Sequence, residues 1–161
     1  MSEFTDLDFE RDADGVYDLV VDPDTGDFKV TGGMRPALFI SLFSDRRARP
    51  DEVADPLKRR GWIGDLYAEI PGDAHGSGLW LYNQRRLTAD VRQALRLEAL
   101  NSLAWLLQDR LVQSVDAEVI HDPAARSLEL RTSLTVADGG VSRTSFELWE
   151  HTRAGELART T

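Results

Sequence analysis

An α+β fold is predicted: an antiparallel C-terminal sheet of about three strands packed on a long central helix, preceded by an N-terminal hairpin, a short helix and a long ordered loop. Three observations carry this. Residues 128–136 alternate Leu128, Leu130, Thr132, Leu134 and Val136 with Glu129, Arg131, Ser133 and Thr135, the period of a half-buried strand. Residues 88–109 place apolar side chains at helical spacing over several turns. Between residues 50 and 77 periodicity vanishes among prolines and glycines, yet large apolar residues persist.

In chain order, residues 1–14 are polar and expected to be loosely held. GVYDLVV and DFKVTG flank DPDTG, which reads as two short strands joined by a turn. Asp22, Asp24 and Asp27 are spaced in a way similar to a calcium loop, but the terminal bidentate Glu is missing, and Asp and Gly suit a tight turn unaided. RPALFISLFSDRRA reads as a short helix. Pro36 fits its first turn, Leu38, Phe39, Leu42 and Phe43 share a face, and Arg46 and Arg47 fall near its C-terminus, where cations suit the dipole.

Pro50, Pro56, Pro71 and glycines 61, 64, 72, 76 and 78 then predict a long irregular excursion, with at most a turn of helix at 51–59. Trp62, Ile63, Leu66, Tyr67 and Ile70 are too apolar for disorder, so the loop is expected to be ordered. Within it, RRGWIGD sets Trp62 and Ile63 between glycines. Two readings stand: Trp62 plugs the core, or it meets a partner, with Arg59, Arg60 and Asp65 at the rim.

GLWLY reads as a brief strand-like segment. Thr88 is a plausible N-cap for a helix running to about Asp109, with Asp90 in its first turn. Val91, Ala94, Leu95, Ala99, Leu103, Leu106 and Leu107, extended by Leu97, Leu100, Ala104 and Trp105, predict a central helix covered on more than one side. Three strands follow. Val115, Ala117 and Val119 alternate in the first; the second spans 126–137; DGG supplies a turn; and the third, 141–150, sets Phe146 and Leu148 opposite Glu147 and Trp149. Trp149 is then either exposed or covered by the N-terminal hairpin. The domain plan is a flexible segment 1–14, one α+β domain 15–152 and a tail 153–161.

Composition narrows the function. A chain of 161 residues allows one full core. A net charge of -9 argues against nucleic-acid binding, which needs a basic footprint, and against loose contact with anionic membranes. With no cysteine, thiolate metal sites, disulfides and cysteine nucleophiles are excluded, as expected of a protein made in a reducing cytoplasm. No signal-peptide layout opens the sequence, and its longest apolar run is too short to span a bilayer.

Chemistry is sparse. His75, His121 and His151 stand apart, so neither a metal site nor a cofactor is expected. Ser77 in HGSGLW lacks the strand-then-helix setting of a nucleophile turn, and no phosphate loop is present. Glu98 borders the apolar stripe, where a carboxylate needs a cation; a structural ion pair with Arg46 or Arg47 is the plainer reading and a catalytic acid the sharper one. A hydrolase would require paired carboxylates, with Glu98 and Asp65 as the available pair.

The ordered succession LFISLFSDRRA, RRGWIGD, GSGLWL with Arg85 following, and EALNSLAWLLQD resembles the baseplate protein family of Mu-like contractile-tailed phages, over about residues 15–150. At Ile63 and Gly78 that family often carries tryptophan and arginine. The resemblance implies a non-enzymatic part of a contractile tail or a related injection machine, similar in role to the small wedge proteins called sheath initiators; the alternative is a small tail-associated hydrolase acting on the cell envelope. Its partners would be wedge proteins and the tail sheath protein, with tube or hub proteins as further neighbours. Its place would be the virion's tail baseplate, after assembly in the host cytoplasm. An initiator needs an open sheet edge. The hairpin 126–137 and 141–150 is the candidate, unless both strands lie inside the sheet; Arg143, Glu147 and Trp149 are its candidate contact residues.

Overall fold

The alternation in the last third becomes a three-stranded meander, and the helical stripe becomes its cover. A computed structural model describes residues 5–11, 17–32, 34–67, 75–83, 85–124, 127–136 and 139–150. The predicted tail 153–161 lies outside them. Two units are distinguished, Met1–Ser41 and Leu42–Thr161.

In the first unit, β1 (Thr5–Leu7), β2 (Phe9–Arg11), β3 (Tyr17–Leu19) and β4 (Val30–Gly32) pair as β1–β4 and β2–β3, both antiparallel. The DPDTG turn forms as predicted: the Asp22 and Gly26 amides donate to Asp27 O and Asp22 O, both at 2.8 Å, and Gly26 takes φ +73°. Val21 and Phe28 bridge just outside it. Residues 5–11, expected to be loose, instead pair with both arms of this hairpin. Asp8 sits at the crossover, its amide donating to Lys29 O at 2.9 Å and its carbonyl accepting from Val20 N at 3.1 Å. Its carboxylate lies 3.6 Å from Lys29 Nζ and 3.5 Å from Arg35 Nη1. The acidic character that suggested a solvated end is thus partly consumed in pairing.

Helix α1 (Arg35–Phe43) buries Leu38 and Leu42. It stops before Arg46 and Arg47, so neither serves its C-terminus as expected. The chain leaves it at Ser44 and pairs Asp45 with Ser77 in a parallel bridge.

In the second unit, short 3-10 turns form at Pro56–Lys58, Ile63–Tyr67 and Leu79–Tyr82. The last replaces the expected strand-like segment: the Leu81 amide donates to Gly78 O at 3.0 Å and Asn83 to Trp80 O at 3.3 Å, so each group finds its partner locally. Thr88 caps α2 (Ala89–Ser102), its Oγ1 accepting from Val91 N at 3.3 Å. The predicted single helix is divided. Leu103 breaks it, and α3 (Ala104–Gln108) follows. Ser102 Oγ donates back to Ala99 O at 2.9 Å, a side-chain bond that competes with the helix ladder. Leu95, Ala99, Leu103 and Leu106 are fully buried, whereas Leu97 and Leu107 are 48% and 43% exposed, so the stripe is narrower than the sequence suggested.

Strands β5 (Val112–Asp122), β6 (Ser127–Val136) and β7 (Val141–Glu150) are antiparallel in the order β5-β6-β7. Ala117 faces Thr132, and Leu130 faces Phe146. Leu128, Leu130, Thr132, Leu134 and Phe146 are buried, and α2 and α3 pack against β5. Each such leucine contributes about 2 kcal/mol by leaving water. Phe43 meets Phe146 edge-on at 5.4 Å. Gly139, at φ +85°, turns the chain between β6 and β7. The candidate hairpin therefore splits in character: among the described residues β6 is internal and β7 is an edge.

Candidate interaction surface

The loop after α1 is organised around one arginine. Arg46 Nη1 and Nη2 donate to Glu52 Oε2 and Oε1 at 2.9 and 2.8 Å, while Nη2 and Nε reach Glu98 Oε1 and Oε2 at 3.0 and 3.4 Å. The three side chains are only about one-sixth exposed, at 16%, 15% and 16% for Arg46, Glu52 and Glu98. Both carboxylates gain further donors: Arg49 N bonds Glu52 Oε2 at 2.8 Å, and Gly78 N bonds Glu98 Oε2 at 3.1 Å. Arg46 holds the Glu52 carboxyl down at about 2, against the opposing effect of burial, and Glu52 in turn raises the guanidinium's affinity for its proton. Bidentate geometry of this kind fixes direction as well as charge. A Cβ on Gly78 would lie 2.6 Å from both Arg46 Nη2 and Glu98 Oε2, so a hydrogen there lets the backbone close over the pair.

Arg47 offers its carbonyl to Arg46 Nη1 at 3.3 Å, but its side chain is not part of this cluster. Its Nη1 donates to Arg60 O at 3.2 Å and its Nη2 to Pro56 O at 3.4 Å. Arg59 likewise binds backbone, with Nε on Val53 O at 2.7 Å and Nη2 on Ala54 O at 3.0 Å. Arg60 adopts φ +49°, pairs with Asp45 Oδ2 at 2.7 Å and lies 4.6 Å over the Trp80 ring. Trp80 Nε1 donates to Arg46 O at 3.1 Å. Gly61, at φ +99°, approaches Arg47 so closely that a Cβ would stand 2.6 Å from Arg47 Cβ. Two consecutive positive φ values thus turn RRGWIGD away from the strand-like path before Trp62.

Trp62 is not a plug. It is 58% exposed, packed over Gly64, where a Cβ would meet the ring at 2.2 Å, and 5.2 Å from the His75 ring. The flanking glycines let the indole fold onto its own turn instead of the core. Leu57, Ile63 and Tyr67 are 95%, 71% and 80% exposed, making this loop the most apolar exposed part of the second unit among the described residues. Asp65 Oδ1 accepts from His75 N at 3.1 Å, and its buried Oδ2 has no hydrogen-bond partner among the described residues.

Asp65 and Glu98 share no contact: one holds a backbone amide and the other the Arg46 cluster. Ser77 is 2% exposed, donating from Oγ to Leu42 O and accepting from Leu79 N at 3.3 Å, an arrangement that braces the loop.

On the sheet, Arg143 is exposed and lies in register with Ser133. With Asp116, Glu118, Arg131 and Ser145 it lines a shallow depression of about 420 Å³. Arg131 binds Glu129 through Nε and Nη2 at 3.1 and 2.9 Å, and this contact, helped by the Ser145 hydroxyl, holds the Glu129 carboxyl below its usual range. Glu147 is half-buried in register with Glu129. The pairing then skips a residue, so that Trp149 lies in register with Leu128, and simple alternation ceases there. The side chain of Trp149 lies outside the described residues. Sequence reasoning missed Glu52, Trp80 and Arg96. Arg96 reaches Asp116 Oδ1 at 2.8 Å and Ala117 O at 2.7 Å, a contact foreshadowed only by its place one residue after buried Leu95.

Comparison with known proteins agrees with the resemblance. The family model described as phage protein GP46 matches residues 34–141. A relative named Mu-like prophage FluMu protein gp46, from Haemophilus influenzae, is 29% identical over 110 residues, covering 68% of this chain and 73% of the relative. The matched stretch contains the Arg46 cluster, the RRGWIGD loop, α2 and most of the sheet. The chain belongs to the GP46 family of phage proteins.

Proposed function

We propose that this protein is a structural, non-enzymatic component of the baseplate of a contractile phage tail or a related injection machine. It binds wedge subunits and gives the first ring of tail sheath a strand to pair with. Arg59, Arg60, Trp62 and Asp65 belong to the wedge-facing loop, and Arg143, Glu147 and Trp149 to the sheath-facing strand. The single observation that carries this reading is a GP46-family chain whose three-stranded antiparallel sheet ends in β7, beside whose outer edge over 141–145 no further strand pairs among the described residues. Backbone pairing at such an edge supplies affinity with little demand on side chains. The protein would act in the virion tail, after assembly in the host cytoplasm.

The test is reconstitution. Purified protein is mixed with the wedge and sheath subunits of a contractile tail from the same genome, and complexes are separated by sedimentation. Binding to both, with sheath polymerisation accelerated by the protein, is expected. Binding to neither under assembly conditions contradicts the proposal.

A further inference from the structure

The two edges of the sheet differ in what they leave free. On β5, Arg96 Nε donates to Ala117 O at 2.7 Å, and the Ala117 amide donates to Asp116 Oδ1 at 2.9 Å. Arg96 Nη2 and Asp116 Oδ1 close the ring at 2.8 Å. Both backbone groups of Ala117 therefore point away from β6, and both are already taken, in the middle of that edge.

On the other side the register fixes the opposite outcome. Val136 N donates to Gly140 O at 2.9 Å, so the even-numbered residues of β6 direct their backbone groups toward β7. Leu134 pairs with Ser142 and Thr132 with Thr144, which turns the backbone groups of Val141, Arg143 and Ser145 outward. Among the described residues no strand pairs with them. The stretch has no proline and no lysine, the usual devices for blunting an edge, and its register skip comes only beyond Glu147. Its one charge is Arg143, which is exposed and makes no ion pair among the described residues, in a chain of net charge -9.

Resting on the strand-pairing reading above, we infer that the outer edge of β7 over 141–145, and not that of β5, takes the incoming sheath strand, and that this strand places an acidic residue opposite Arg143. A directly opposed pair of unlike charges favours one register over its neighbours. Residues on either side of that acid point to the other face, opposite exposed Ser142 and half-buried Thr144. The Arg96–Asp116 clamp disfavours the alternative by occupying the middle of the β5 edge.

Proline distinguishes the edges, because the backbone N–H it removes is one the fold does not use, although at Ser145 the hydroxyl bonded to Glu129 is lost as well. Ser145→Pro on β7 and Val119→Pro on β5 are compared with the unaltered full chain for affinity toward purified sheath subunit, with folding checked by thermal melting. Arg143→Glu, which leaves the backbone intact, keeps the test decisive if Ser145→Pro does not fold. Expected are a loss of about tenfold or more for Ser145→Pro, several-fold for Arg143→Glu with reduced salt dependence, and no change for Val119→Pro. Loss confined to Val119→Pro overturns the edge assignment while sparing strand pairing. Undiminished binding by the variants overturns strand pairing while sparing sheath binding. Failure of the unaltered chain to bind sheath overturns the parent proposal and this inference together.

Discussion

Arg46 and Glu98 meet at 3.0 Å across fifty-two positions of sequence, joining the loop after α1 to the middle of α2. Glu52 shares the same guanidinium at 2.8 Å. With all three side chains mostly buried, the cluster is a structural joint; removing Arg46 leaves Glu98 without its cation and Glu52 with only the exposed Arg49, at 3.0 Å. Arg46→Ala should cost about 2–4 kcal/mol in urea-induced unfolding. Arg46→Lys should recover less than half of that, because an ammonium cannot make two parallel bonds to each carboxylate.

The cluster also sets acid sensitivity. Glu52's carboxyl is held at about 2, below its ordinary 4.5, chiefly by Arg46. A depressed carboxyl stabilises the fold fully above the unfolded value and loses that contribution as pH falls from about 4.5 toward 2. The contribution is on the order of 2–3 kcal/mol. Stability measured by denaturant titration should therefore decline over this window, and Glu52→Gln should flatten the decline while lowering stability at neutral pH.

Gly78 closes over the Arg46–Glu98 pair with no room for a methyl group. Gly78→Ala should destabilise by about 1–2 kcal/mol, since the neighbours that must yield are pinned by their own bonds. In an Arg46→Ala background the same change should cost markedly less. A double-mutant cycle checks this, and additive losses would show that Gly78 acts independently of the pair.

Trp62 and Leu103 differ sharply in burial, at 58% and 0% exposed. Trp62→Ala should alter stability by less than about 1 kcal/mol, whereas Leu103→Ala should cost roughly 2–5 kcal/mol. If Trp62 belongs to the wedge-facing loop, its truncation should weaken wedge binding with the melting temperature nearly unchanged. The pair of measurements separates a contact role from a packing one.

Much of the fold was legible where one periodicity ran uninterrupted. The alternation of 128–136 specified β6, and Thr88 with the following stripe specified α2. The break at Leu103 was not legible, because α3 continues the same apolar phase after a single non-helical residue. Nor was the pairing of 5–11, where charge concealed the alternation of Leu7 and Phe9 with Asp8 and Glu10. In the loop, the need for a cation beside Glu98 followed from the apolar stripe alone. Which of Arg46 and Arg47 supplied it did not, since that depends on the path from Asp45 to Ser77, a bridge spanning residues with no common period. The exposure of Trp62 was hidden for a related reason: positive φ at Arg60 and Gly61 decides where the indole goes, and only the glycine announces such a turn.

The most direct test is a cryo-electron microscopy reconstruction of an assembled tail produced with this protein. The chain should occupy the baseplate, with its 44–67 loop on a wedge subunit and its sheet bordering the first sheath ring. A complete tail with sheath assembled and no copy of the chain at the baseplate would contradict the structural role proposed for it.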